Sequence, residues 1–266
     1  MGRDSPHLRP LPWLYDEIII NVIMKYFYII YQYLIAIPLI LVITLFTAFT
    51  TIICFLWKNG PVPHAVQVFW SRSIIRLLLV PISVSGTENI QKGQSYVFVS
   101  NHQSFLDVFA IYGWLPVTFK WLMKKELRRI PFVGFACKVA GHIFVDRSNP
   151  IAALHSIKEI ESELQNGVST VIFPEGTRTK TGEMGRFKRG AFQVALDLHL
   201  PIIPISLTGC YEAMPRDKFY VRLHSHIAMH VGKPIDLGQF IDKETSKVDA
   251  NAAIAYVRER VADGIE

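Results

Sequence analysis

Cysteine is scarce: Cys54, Cys137 and Cys210 are the three in 266 residues, and no two form a C-x-x-C pair. That excludes a disulfide framework and a thiolate zinc site, and it fits a reducing compartment. Charge is also sparse, at 19% against a usual quarter, while half of the residues are hydrophobic. A chain so apolar is neither disordered nor collagenous. It has no internal repeat, no low-complexity tract and no G-x-S-x-G nucleophile elbow. An acidic excess is missing too: Lys and Arg number 28 against 22 Asp and Glu, for a net charge of +6. Residues 1–57 are neutral, with Arg3, Arg9 and Lys25 balancing Asp4, Asp16 and Glu17, so the surplus lies wholly in 58–266. A basic body suits a phosphate-bearing partner: nucleic acid, an anionic membrane or a phosphorylated substrate. No nucleic-acid-binding motif is visible, and nucleic acid is set aside as a partner.

The longest gap in charge runs from Tyr26 to Trp57, 32 residues bounded by Lys25 and Lys58. As one straight helix it would be about 48 Å long, against roughly 30 Å of hydrocarbon. Pro38 can kink or divide it. Three arrangements fit: a long tilted span, a span plus an interfacial piece, or a hairpin that enters and leaves one leaflet. Tyr26, Phe27, Tyr28, Tyr31 and Tyr33 at one end and Trp57 at the other suit an interface. A cleaved signal peptide is not expected: the stretch is too long, begins too late, and no A-x-A site follows. Three cations flank each side, so loop charge sets no orientation. Val66 to Val80, with Arg72 and Arg76 one turn apart, reads as an amphipathic helix on a membrane surface, or else as a helix packed on the body. The expected organisation is a membrane anchor over 1–80, with hydrophobic helices about 18–57 and the amphipathic helix about 66–80, followed by a globular body over 81–266.

In that body, strand-like runs at Tyr96–Ser100, Val117–Met123, His142–Val145, Thr170–Phe173 and Ile202–Leu207 alternate with helical patterns. The helices are expected at Ser104–Tyr112, Pro131–Ala140, Ile151–Asn166 and Lys188–His199. The alternation predicts an α/β body with a mainly parallel central sheet flanked by helices, preceded by the hydrophobic anchoring segment. Val221–Val231 alternates strictly and reads as a half-buried strand; a last helix fits Val248–Ala262. The even spacing of His224, His226 and His230 puts them on one face of that strand. No fourth ligand accompanies them, and no metal is expected. Lys124, Lys125, Arg128 and Arg129, near Trp121 and Phe132, form either a solvated face or a contact for anionic lipid or donor phosphates.

Residues just past strand C-termini build sites in such folds, and three polar clusters fall there. In Asn101-His102-Gln103-Ser104-Phe105-Leu106-Asp107, the carboxylate lies in the first turn of the next helix and can reach one imidazole nitrogen. That would leave the other nitrogen as general base, acting directly on a substrate hydroxyl because no serine or cysteine nucleophile is evident. The plainer alternative is that Ser104 or Asp107 only starts the helix. In Gly141-His142-Ile143-Phe144-Val145-Asp146-Arg147, Arg147 could fork onto a phosphate or pair with Asp146. In Phe173-Pro174-Glu175-Gly176-Thr177-Arg178, Gly176 permits a tight turn whose N–H groups, with Thr177 and Arg178, make an anion cradle.

Together and in this order the three clusters resemble the blocks of the glycerolipid acyltransferase family, the 1-acylglycerol-3-phosphate acyltransferases in particular. Asn101, His102 and Asp107 match N-H-x-x-x-x-D; Gly141, Phe144 and Arg147 match G-x-x-F-x-x-R; Phe173 to Arg178 match F-P-E-G-T-R without a gap. Leu200-Pro201-Ile202-Ile203-Pro204-Ile205-Ser206 matches the apolar fourth block, and the resemblance covers roughly 80–235. It implies that 81–266 is a catalytic domain transferring an acyl group from acyl-CoA or acyl-carrier protein to a glycerol hydroxyl, with phosphatidate as product and no cofactor beyond that co-substrate. His102 would be general base and Asp107 its orienter. Arg147, Glu175, Gly176, Thr177 and Arg178 would form the acceptor-phosphate region, with Lys124 as further positive charge. Glu175 would hold Arg147, Arg178 or a glycerol hydroxyl. The implied partners are membrane lipids, 1-acylglycerol 3-phosphate and the thioester donor. The implied location is a membrane, in a bacterium the inner one, with the catalytic domain on the cytoplasmic side. Family members acting on glycerol 3-phosphate, another lysophospholipid or a lyso-aminolipid share the blocks, and a silent lipid-binding protein would keep the fold without needing a base.

Overall fold

The computed structural model describes residues 12–58, 64–145, 164, 167–241 and 248–265. The apolar segment forms helix α1 (Pro12–Tyr31), one π-helical turn (Gln32–Ala36) and helix α2 (Ile37–Lys58) without a break between them. Pro38 has no N–H and its ring crowds the carbonyl four residues back. The wider turn accommodates this: the Ile37 N–H reaches Gln32 O, five residues back, and the chain continues as helix. Within it, Ile19–Trp57 is long and apolar enough to cross a membrane by length and composition.

One side of this long helix lies on the body. Gln32 is buried, and its amide donates to Val221 O at 2.9 Å and accepts from Val221 N–H at 2.7 Å. The Tyr28 and Tyr31 hydroxyls donate to Leu78 O and Leu77 O, and the Trp70 indole N–H donates to the Thr44 hydroxyl. Helix α3 (His64–Leu77) follows and packs its Ser71, Ile74 and Ile75 face into the body. Arg72 donates to Gly113 O at 2.7 Å. Phe69, Arg72, Arg76 and Leu79 remain on its exposed side.

The body is a seven-stranded sheet: β1 (Ile82–Ser85), β2 (Val97–Ser100), β3 (Phe119–Lys124), β4 (Ile143–Val145), β5 (Ser169–Ile172), β6 (Ile202–Thr208) and β7 (Ile227–Val231). Their order is β1-β7-β6-β2-β5-β3-β4, and all neighbours are parallel except β6 and β7. Side chains alternate between two cores, as a sheet covered on both faces requires. Phe98, Val171, Ile203 and Ile205 face α3 and α4 (Leu106–Trp114). Val97, Val99, Ile172 and Ile202 face the other core, with Phe192 of α6 (Arg189–Asp197) and Val257 and Val261 of the C-terminal helix, α8 (Ala250–Asp263). Helix α5 (Val133–Val139) lies beside α2, and a short α7 (Cys210–Ala213) follows β6.

The expected α/β body and its five parallel strands, β2 to β6, are therefore present. The strand expected over Val221–Val231 begins only at Ile227. Val221 is bonded to Gln32 rather than to a neighbouring strand, and His224 has φ +60°, outside the extended region. His224 and His226 consequently lie in the turn before β7, and the expected single strand face of three histidines does not form. The helix expected at Ile151–Asn166 falls almost wholly outside the described residues.

Candidate active site

The parallel strands β2, β3, β4, β5 and β6 share one carboxyl edge, and two adjacent ones build the site there. Asn101 closes the end of β2 onto β6: its amide donates to Leu207 O and accepts from Leu207 N–H, both at 2.8 Å. The next residue is His102. Its Nδ1 lies 2.8 Å from Asp107 Oδ2, and Asp107 is fully buried. The same oxygen accepts the N–H groups of Gln103 at 2.5 Å and Ser104 at 2.9 Å. An ionised carboxylate only accepts, so Nδ1 carries the ring proton and Nε2 is left with its lone pair. The imidazole is stacked on Phe173, with centroids 3.9 Å apart and planes at 11°, and Phe173 stacks on Trp121. The ring is thus held on one edge and one face, with 17% of its side chain exposed.

Phe173 begins the turn after β5. Gly176 has φ +75°, and its N–H bonds Phe173 O at 3.1 Å; a Cβ there would meet Lys188 Nζ at 2.9 Å. Glu175 is buried under the turn. Its Oε1 accepts the His102 N–H at 2.7 Å and its Oε2 the Gly185 N–H at 2.8 Å. Both oxygens are thus occupied by backbone, and the carboxylate ties the base's loop to the chain beyond the turn. Of the roles expected for Glu175, holding an arginine or a substrate hydroxyl, neither is the one its contacts describe. Burial raises its pKa above the ordinary carboxylate value, offset in part by those two N–H groups.

Arg178 lies with its guanidinium carbon 3.8 Å above the Phe105 ring. Burial first, and then the Arg216 charge, lower its pKa. Thr179 N–H donates to His102 O at 2.9 Å, which ties the backbone just after Arg178 to the residue of the base. Thr177 is exposed beside it. Lys124 ends β3, one strand beyond β5 on the same edge, and is exposed, with its ammonium 3.5 Å from Glu126. Arg147 lies outside the described residues. Cys210 is fully buried beside Asp107, and burial followed by that carboxylate push its thiol well up, which keeps it protonated and unsuited to nucleophilic attack. No group of three or more His, Cys, Asp or Glu able to hold a metal occurs among the described residues.

Sequence reasoning missed four neighbours: Phe105 and Phe173 as ring supports, Lys188 over the turn, and Arg216 beside Arg178. Phe105 and Phe173 lie inside the N-H-x-x-x-x-D and F-P-E-G-T-R blocks, but nothing local to Arg216 marks it. An apolar cavity of about 120 Å³ lies between α2 and the body, bordered by Ala48, Trp70, Tyr112, Trp121 and Ala136. Through Trp121 and Phe173 it is two rings away from His102.

Residues 81–208 match the family model described as Acyltransferase. The chain is 34% identical over 173 residues to a chloroplastic 1-acyl-sn-glycerol-3-phosphate acyltransferase of Arabidopsis thaliana, covering 65% of this chain and 48% of that one. It is 38% identical over 145 residues to the human 1-acyl-sn-glycerol-3-phosphate acyltransferase alpha, covering 51% of each. The chain spans about half the length of the curated relatives it matches. Among solved structures it resembles the 1-acyl-sn-glycerophosphate (LPA) acyltransferase PlsC of Thermotoga maritima. The TM-score is 0.68 and the identity 25%, over 92% of this chain and 95% of that one.

Proposed function

We propose that the chain, whose residues 81–208 match the family model described as Acyltransferase, transfers a fatty acyl group from acyl-CoA or acyl-carrier protein to the sn-2 hydroxyl of 1-acylglycerol 3-phosphate, giving phosphatidate. The observation that carries the reading is the His102–Asp107 pair, 2.8 Å apart on a strand end, with Arg178 in the adjoining loop. A general base and a cation on two joined loops suit an acceptor that offers a hydroxyl and a phosphate.

His102 Nε2 takes the proton of the acceptor hydroxyl as its oxygen bonds to the thioester carbonyl carbon. Asp107 stabilises the imidazolium that forms. Collapse of the tetrahedral adduct breaks the carbon–sulfur bond, and His102 returns the proton to the thiolate. No step requires a metal or a cofactor other than the thioester. Gly176, Thr177 and Arg178 receive the acceptor phosphate, with Arg147 and Lys124 as further positive charge, and Glu175 holds the His102 loop. The apolar cavity beside Trp121 offers space for hydrocarbon.

Residues 1–80 are read as the membrane anchor and 81–266 as the catalytic domain, but the anchor is docked on the body rather than hung from it. Burial runs from Tyr28 to Thr51 along the long helix, 24 residues and roughly 36 Å. That exceeds the roughly 30 Å of a hydrocarbon core. A perpendicular span would draw the charged body into the bilayer, at a cost of several kcal/mol for each buried ion. A helix lying within one leaflet, its free face in lipid, avoids this. Leu127, Ile130, Phe132 and Phe135 are exposed among Arg128 and Arg129, next to the α2 contact, and suit the same anionic surface. The body then sits on the cytoplasmic side, where the thioester is made.

The test is acyl transfer by purified full-length protein in liposomes, with both donors and a panel of 1-acylglycerol 3-phosphate, glycerol 3-phosphate and phosphate-free lysolipids. Turnover confined to 1-acylglycerol 3-phosphate and lost in His102→Ala is the expected result. Turnover on another acceptor alone would replace the substrate, and none at all from the folded protein would remove the enzyme reading.

A further inference from the structure

The cation of the turn after β5 has a second cation beside it. Arg216, in the segment after α7, donates through Nη1 to the Arg178 carbonyl at 3.1 Å. The Ser104 hydroxyl donates to Met214 O at 2.7 Å, two residues before Arg216. Loops 102–105, 178–179 and 214–216 are therefore joined to one another, with His102 among them. Arg178 Nη1 is buried and has no hydrogen-bond partner. Among the ion pairs of the described residues, no carboxylate meets either arginine.

We infer that Arg216 is a second phosphate ligand, and that Arg178 and Arg216 form a clamp selecting a phosphomonoester dianion as the acyl acceptor's head. The inference rests on the acceptor reading above. The Arg216 charge acts unfavourably on Arg178 and the buried Asp107 offsets it in part; an anion held by both guanidinium groups would relieve what remains. A dianion compensates both charges, whereas the single charge of a phosphodiester leaves one uncompensated. Arg216 uses one Nη1 hydrogen on the carbonyl and retains its Nε and Nη2 donors. Phe105 holds the Arg178 plane from beneath, which fixes the direction of its fork. A glycerol phosphate places its phosphorus only a few bonds from the sn-2 oxygen, so the clamp must stand close to the base, as these loops do.

The experiment measures KM and kcat for 1-acylglycerol 3-phosphate in mixed micelles, from pH 5.5 to 8, for the full-length protein and for Arg216→Gln, Arg216→Ala and Arg178→Ala. Gln keeps a donor for the Arg178 carbonyl without the charge. Arg216 is exposed, so folding is not at stake. Arg216→Gln is expected to raise acceptor KM about tenfold, with kcat and donor KM within about twofold. It should also flatten the fall in acceptor KM that accompanies the second phosphate ionisation near pH ~6. If Arg216→Gln behaves as the parent while Arg216→Ala raises KM, the residue merely holds a loop, and the inference fails. If Arg178→Ala raises KM and neither Arg216 variant does, the clamp fails and the acceptor reading stands. If no variant changes acceptor KM, both fail.

Discussion

Glu175 places a carboxylate in a turn that otherwise collects positive charge, and its two contacts explain why. Glutamine in its place offers one oxygen and one amide nitrogen, so only one of the His102 and Gly185 N–H groups could still be satisfied. The other would be left buried and unpaired, at about 1–3 kcal/mol. Glu175→Gln is expected to lower the thermal midpoint by several degrees and to reduce kcat more than tenfold, because the base's loop loses its tether. Acceptor KM should stay within about threefold; a KM rise with unchanged kcat would instead make Glu175 a substrate ligand. The contrast with Asp107 shows what a sequence discloses at this scale. Asp107 and His102 are five residues apart, at a strand end and the first turn of the next helix, and local geometry alone brings them together. Glu175 reaches His102 across 73 residues, and Arg216 reaches Arg178 across 38. No local spacing encodes such contacts; they follow from which strands are neighbours, and β2 and β5 are adjacent only once the sheet has formed.

Elements were legible where one pattern dominates. The apolar runs of β2, β5 and β6 are buried on both faces and announce themselves. β1 carries only the half-buried Ile82 and Val84 on its inward side, too little to mark a strand before its partner β7 is known. The alternation at Val221–Val231 overshot because alternation describes side chains, whereas a strand also needs backbone partners. Val221 has found its partner in the Gln32 amide of the anchor helix. The π turn that presents Gln32 was hidden as well: Pro38 signals an interruption but does not say that a wider turn will absorb it. Gln32→Ala would leave a buried N–H and C=O on Val221 without partners, at about 1–3 kcal/mol each. The expected outcome is a lower thermal midpoint in detergent and faster protease cleavage between the helix and the body. Activity per folded molecule on a water-soluble short-chain acceptor should be retained, since Gln32 makes its hydrogen bonds to Val221 and none to the His102 loop. An unchanged midpoint would mean that the helix is held by packing alone.

Across the whole molecule, two histidines beneath the anchor, His142 buried and His64 half-buried, make stability depend on pH. His142 bonds Tyr112 Oη at 3.1 Å and the Trp121 N–H at 3.3 Å; burial first, then the Lys120 charge, lower its pKa to about 3. The same causes lower that of His64 to about 4. Between these values and the ordinary ~6.5 the unfolded chain binds more protons than the folded one, so stability rises with pH and is lost on acidification below about 6.5. Glu175, with its raised pKa, opposes this in its own range. Thermal midpoints from pH 7 to 5 should fall steeply for the parent and less steeply for His142→Asn; parallel curves would refute the assignment. The same packing bears on how the molecule meets a membrane. Lys25 and Lys58 stand at the two ends of the apolar stretch, about 50 Å apart along a helix at 1.5 Å per residue. A span would place them on opposite sides of the bilayer, and a helix docked in one leaflet on the same side. In sealed vesicles with the body outward, Lys25→Cys and Lys58→Cys should both react with an impermeant maleimide above the background of the parent's own thiols. Labelling of one only after detergent is added would establish a crossing, and the body would then have to be accommodated beside the helix within the bilayer.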